Sequence, residues 1–164
     1  MKTLRYSLTV IALLTGISSF GQVSVTGTAY TEIVPLVTAR EKVQMNLGRF
    51  STDKNGGSLV LTPEGFRIAR GSVILLNSFA SQAVFVISGS SDNSLSVLLP
   101  STPQPLIHNR TSNRIFLENW TYDIPKTNDG KIQVNVGATL EVGPESINPP
   151  GEYTGTYQVV FIFN

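Results

Sequence analysis

The stretch Tyr153-Thr154-Gly155-Thr156-Tyr157-Gln158-Val159-Val160-Phe161-Ile162-Phe163-Asn164 decides how the chain reads. At a period of two, Tyr153, Tyr157, Val159, Phe161 and Phe163 fall on one face, with Gly155 between them. Final residues ordinarily fray in water. A terminal stretch loaded with aromatic and β-branched side chains is expected to be a strand lying against a cover.

Working outward, the same grammar recurs. Ile132, Val134 and Val136 alternate cleanly and lead through Gly137 to Leu140 and Val142. Ahead of them, Asn128-Asp129-Gly130 is a two-residue hairpin signal, because such turns need positive φ. Ile115, Leu117 and the Trp120/Tyr122 region form a strand of mixed parity. Val73–Leu76, Ala83–Ile87 and Leu95–Leu99 are short apolar runs suited to buried strands. Ser88 to Asn93 is a hairpin loop, and Pro100 to Pro105 a rigid exposed connection. Ser58–Thr62 and Phe66–Arg70 are further strands, separated by the turn Pro63-Glu64-Gly65.

Val43 to Phe50 alternates strictly until Phe50 switches sides, which predicts a kink at Gly48. Val23, Val25, Gly27 and Ala29 make a thin strand of small residues. No helix signal appears. Strands at regular spacing with turns between them predict an all-β antiparallel sandwich, a single domain over residues 22–164.

Lys2 and Arg5, the apolar run from Leu8 to Leu14, and Ser19-Phe20-Gly21 read as a secretory signal peptide over residues 1–21. The run is too short to span a bilayer, so no transmembrane segment is expected in the mature chain. Its removal leaves ten cations against eleven anions, a net charge of −1. That balance gives no electrostatic case for nucleic acid or an anionic membrane. Charged residues make up 14% of the chain, against roughly 25% in an average domain. With no cysteine, disulfides, thiol catalysis and thiolate metal sites are excluded.

Chemistry is sparse. His108 is the single histidine, read as an exposed loop residue without the partners a base or a zinc ligand needs. Asp92, Glu118, Asp123, Asp129, Glu141 and Glu145 are scattered, and turn or solvent-face roles explain them. Asp53-x-Asn55-Gly56 lacks the distal Glu of a calcium loop and reads as a hairpin turn. Asn109-Arg110-Thr111 and Asn119-Trp120-Thr121 match the glycosylation acceptor pattern, which arises by chance in short chains. Trp120 and Tyr122 are the candidates for a sugar-stacking platform, weighed against ordinary core packing. No catalytic residue, metal ligand or cofactor is expected.

Leu47-Gly48-Arg49-Phe50, Gly56-Gly57, Leu61-Thr62-Pro63-x-Gly65, Val136-Gly137-Ala138-Thr139-Leu140 and Gly151-x-Tyr153-Thr154-Gly155-Thr156-Tyr157 form an ordered series over the mature chain. The series resembles a family of uncharacterised secreted bacterial domains, itself similar to spore-coat-protein-U and archaic chaperone–usher pilin domains. The resemblance implies an immunoglobulin-like sandwich that lacks its final strand. A periplasmic chaperone, and then the N-terminal extension of the next subunit, fills the gap by strand addition. It also implies a glycine fourteenth from the C-terminus and an aromatic penultimate residue, here Gly151 and Phe163.

On that reading Val23, Val25, Gly27 and Ala29 are the donor strand, and Gly151, Tyr157, Val159, Phe161 and Phe163 mark the pairing strand. The expected role is a cell-surface structural or adhesive subunit, periplasmic, surface-bound or extracellular, whose partners are copies of itself or another surface subunit. The departures are the absent cysteines and a phenylalanine where tyrosine is usual at the penultimate position. The alternative is a self-complete secreted sandwich that binds a ligand such as a glycan, without enzymatic activity, with Val23–Ala29 as its own first strand.

Overall fold

The computed structural model describes residues 24–33, 37–89, 95–127 and 130–163. The chain divides into two compact units, residues 1–33 and residues 34–164. The signal peptide reading and Val23 lie outside the described residues. In the first unit, residues 24–33 carry no strand, so Val25, Gly27 and Ala29 do not form the element expected of them within the chain.

The second unit is all-β, with no helix among the described residues. Its strands are β1 (Thr38–Val43), β2 (Phe50–Ser51), β3 (Gly57–Leu61), β4 (Arg67–Gly71), β5 (Ile74–Leu75) and β6 (Ala83–Ser88). They continue with β7 (Leu95–Leu98), β8 (Gln104–His108), β9 (Arg114–Asp123), β10 (Ile132–Val142), β11 (Tyr153–Thr154) and β12 (Val160–Phe163). All pairings are antiparallel. The main sheet runs β1-β6-β10-β9-β8-β11, with β3 added to β10 and β4 to β3. Two ribbons, β7–β12 and β2–β5, make up the rest of the sandwich.

The alternation of β10 organises the core. Its Ile132–Val136 half pairs with β6 and its Ala138–Val142 half with β3, while its other edge carries β9. One strand serving successive neighbours curls the sheet, and Gly137 sits at the handover. A Cβ there would run into the carbonyl oxygen of Leu61. Val134 and Val136 join Ala83 and Ile87 in one buried cluster, against which Phe85, Leu95, Val97, Phe161 and Phe163 pack. Ala138, Leu140 and Val142 join Leu59, Val73, Ile115 and Leu117 in the other. Met45 and Trp120 touch both clusters.

The mixed parity of the Ile115–Tyr122 strand has a local cause. Asn119 is the one non-glycine at positive φ (48°) among the described residues, and the β9–β10 register slips opposite it between Gly137 and Thr139. The slip is a bulge that turns Trp120 inward after Ile115 and Leu117. The kink expected at Gly48 is also present, with φ 73°.

Four expectations are corrected. Val43 to Phe50 is not one strand: β1 ends at Val43, β2 starts at Phe50, and between them Asn46 makes an isolated bridge to Ser81. The connection Pro100–Pro105 runs directly into β8, which begins at Gln104 and includes Pro105. His108 ends that strand and is only 6% exposed, not a solvent-facing loop residue.

The terminal stretch is not a single strand either. It pairs with β8 over Tyr153–Thr154, leaves the ladder for Gly155–Val159, and resumes with β7 at Val160. Extending the β8–β11 register places Thr156 opposite Pro105. A Cβ on Gly155 would run into the Pro105 carbonyl oxygen, so that edge of Pro105 faces the terminal stretch. Proline has no N–H to continue the ladder, and the pairing stops there. The face is as expected: Tyr153, Tyr157, Val159, Phe161 and Phe163 are half-buried, while Thr154, Thr156, Gln158, Val160 and Ile162 are exposed.

Candidate functional site

The two interrupted stretches stand on opposite sides of one groove of about 1150 Å³. One wall is the chain from Glu41 to Thr52, the other the chain from Pro149 to Tyr157. Leu106, Ile115, Leu117, Leu140 and Val142 lie along it, four of them buried core side chains. A groove whose lining is the hydrophobic core is a place where the sandwich is not closed.

Both walls carry main-chain groups without partners. In the first wall, Asn46 exchanges both its N–H and C=O with Ser81, each at 2.8 Å. The Gln44 carbonyl accepts from the Ser81 hydroxyl, and the Arg49 N–H donates to Ser78 Oγ at 2.7 Å. Among the described residues, nothing bonds the N–H or C=O of Met45 or the N–H of Leu47. In the second wall, the main chain of Gly155–Val159 makes no hydrogen bond to any described residue. Exposed strand edges of this kind are templates for another extended chain.

Between their short ladder segments, side chains hold these walls in place. Arg67 reaches from β4 and donates through Nη1 to the carbonyls of Leu47 (3.3 Å) and Arg49 (3.2 Å), and through Nη2 to that of Leu76 (3.0 Å). Gly48 makes room for it, since a Cβ there would stand 2.6 Å from Nη1. On the other side, His108 Nδ1 accepts from the N–H groups of Arg110 and Thr111, each at 3.1 Å. Nδ1 therefore carries no hydrogen, and Nε2–H donates to the Pro150 carbonyl at 3.1 Å. The Tyr153 ring meets the imidazole edge-on at 4.9 Å between centroids. Gly151 lies directly against the imidazole, where a Cβ would overlap Nε2. With both nitrogens engaged by backbone, His108 has no free lone pair for a proton transfer.

Among the described residues one bond spans the groove: the Tyr157 hydroxyl donates to Glu41 Oε1 at 3.4 Å. Burial, with the Glu41 carboxylate beside it, pushes the Tyr157 phenol well above its ordinary range. Its ring packs on Trp120 at 4.8 Å between centroids. Trp120 is thus half-buried beneath Tyr157 and between both core clusters, and its Nε1–H is buried with no partner among the described residues. Tyr122 stands 45% exposed. The structure brings Trp120 together with Tyr157 rather than with Tyr122.

The remaining sequence candidates have structural explanations. The Asp53 carboxylate accepts from the Asn55 N–H at 2.7 Å, which holds its pKa below the ordinary value and fixes the turn before β3. Asn148, buried, accepts from Gly143 N–H at 2.6 Å and donates to the Arg114 carbonyl at 2.9 Å, which ties the Pro144–Gly151 loop to β9. Arg67, Ser78 and Ser81 were not singled out in the sequence. The one signal toward them was the parity break at Gly48, a glycine whose purpose is to admit the guanidinium.

No helix of the described residues is long and apolar enough to cross a membrane. No curated protein and no solved structure matches the chain. A family model described as "Domain of unknown function (DUF4402)" matches residues 37–163. That range takes in every strand from β1 to β12, and the chain belongs to the DUF4402 family.

Proposed function

We propose that this protein is an exported surface subunit, structural or adhesive, that assembles by accepting an extended strand from another copy into the groove between Glu41–Thr52 and Pro149–Tyr157. The observation that carries the reading is the coincidence of unpartnered main-chain groups at Met45 and the Leu47 N–H with the unbonded stretch Gly155–Val159, across a floor of core side chains. An inserted strand gains main-chain bonds worth about 1 kcal/mol each and covers apolar surface at about 25 cal/mol per Å². The segment Val23–Ala29 suits that place: its apolar side chains are small and alternate, and residues 24–33 carry no strand within the chain. The similarity to pilin-type domains noted from the sequence supports the same reading, with a periplasmic chaperone as the transient partner before assembly.

The test is an SDS gel of purified protein, run with and without boiling. Strand-swapped polymers appear as a ladder that collapses to one band on boiling. The Val25→Asp chain, which puts a charge on the inserted face, loses the ladder and stays folded by circular dichroism. A single monomer band in unboiled wild type at high concentration overturns the reading.

A further inference from the structure

The two groove walls share a construction that ordinary strand pairing does not require. In each, a side chain from a neighbouring strand caps carbonyls of the wall and lies directly over a glycine of that wall. Arg67 of β4 covers Gly48 and ties the Leu47 and Arg49 carbonyls to that of Leu76. His108 of β8 covers Gly151, holds the Pro150 carbonyl, and is itself oriented by two N–H donors from Arg110 and Thr111. Both caps bond to wall carbonyls that the groove does not need. They leave free Met45, the Leu47 N–H and Gly155–Val159.

A wall that lacks ladder bonds along part of its length shifts unless something else fixes it. Each clamp opposes that movement. The Leu47 and Arg49 carbonyls have three bonds between them that are lost if the first wall swings inward, including the Leu76 N–H bond to Arg49. The second wall is pinned at Pro150 and, through the Asn109 N–H bond to the Glu152 carbonyl at 2.8 Å, at the residue before β11.

We propose that Arg67 and His108 are positioning residues of the groove, which hold its two walls apart in the empty protein so that an extended chain enters without prior opening. This rests on the reading of the groove as a strand acceptor. In binding terms the clamps supply preorganisation, and they act on the rate of entry more than on the bonds made afterwards.

The experiment uses the full chain and a fluorescent synthetic peptide copying residues 22–34, with association and dissociation followed by stopped flow. Arg67→Lys keeps the charge and loses the planar fork that spans two carbonyls. It lowers the association rate constant about tenfold, with dissociation of the bound peptide changed less than about threefold. His108→Gln does the same from the other wall and serves where Arg67→Lys fails to fold. A merely structural role moves the unfolding midpoint and leaves the association rate at 25 °C unchanged; that result overturns the proposal.

Amide hydrogen exchange in the absence of peptide separates this from failure of the groove reading. The clamps predict about tenfold faster exchange at Asn46 and Arg49 in Arg67→Lys, and at Asn109 in His108→Gln, with β10 amides unchanged. Should wild type bind no peptide while that local pattern appears, the clamps stand and the strand-acceptor reading falls. Unchanged local exchange refutes the clamps whatever the peptide does.

Discussion

Replacing Gly151 by alanine tests the closest approach to any described glycine. Gly151 is not among the residues at positive φ, so its backbone conformation does not itself exclude a side chain. The first obstacle is His108, whose Nε2, Cδ2 and Cε1 are the three nearest atoms to the added Cβ. The methyl group displaces the ring from its seat. With it go the Nε2–H bond to the Pro150 carbonyl and both bonds into Nδ1 from Arg110 and Thr111. Three bonds at about 1 kcal/mol each give a loss of about 3 kcal/mol. For a domain of this size that lowers the thermal midpoint by about 10 °C.

The assay is guanidinium unfolding of four chains: wild type, Gly151→Ala, His108→Ala and the double variant. Once the ring is gone, the three nearest atoms are gone with it. In the His108→Ala background Gly151→Ala is then neutral, or stabilising by about 0.5 kcal/mol through the lower entropy of the unfolded chain. The cycle should yield a coupling of about 3 kcal/mol. A coupling below about 0.5 kcal/mol, the scatter expected of independent sites, refutes the reasoning.

Two further outcomes follow from particular residues. The phenol of Tyr157 is raised in the folded chain above its ordinary value near 10, so its contribution to stability is complete below pH 10 and is lost as pH climbs beyond it. The wild-type unfolding midpoint should fall above pH 10 more steeply than that of Tyr157→Phe, and parallel curves would sink the assignment. At Asn119, Asn119→Gly should be near neutral and Asn119→Val should cost about 1–2 kcal/mol in denaturant unfolding, because only the latter meets left-handed strain at the bulge. Equal stabilities for the two would show that the bulge relaxes.

How far the sequence reached depends on how each strand is solvated. β3, β6, β7 and β10 alternate or run apolar because each has at least one face in the core, and they were legible as such. β1, with Arg40, Glu41 and Lys42 at the sheet edge and nearly every residue exposed, offers no hydrophobic period to read. β8 was hidden by Pro105, which reads as a breaker and is tolerated because the ladder on its outer edge ends there. The two parity breaks, at Gly48 and in the Ile115–Tyr122 strand, were visible as irregularities, and only the second proved to be a bulge. The groove was not legible. Its walls are about a hundred residues apart in the chain, and what makes them walls is the absence of ladder bonds, which leaves no compositional trace.

The handover at Gly137 also sets when the protein becomes a protein. The hairpins β3–β4 and β8–β9 close over short stretches of chain, but they are separate pieces until β10 arrives to join β3 and β6 on one edge and β9 on the other. Pairings so distant in sequence make for slow folding, since the loops must close before the contacts reward them. During synthesis everything ahead of Ile132 lacks its central strand until the last fifth of the sequence emerges.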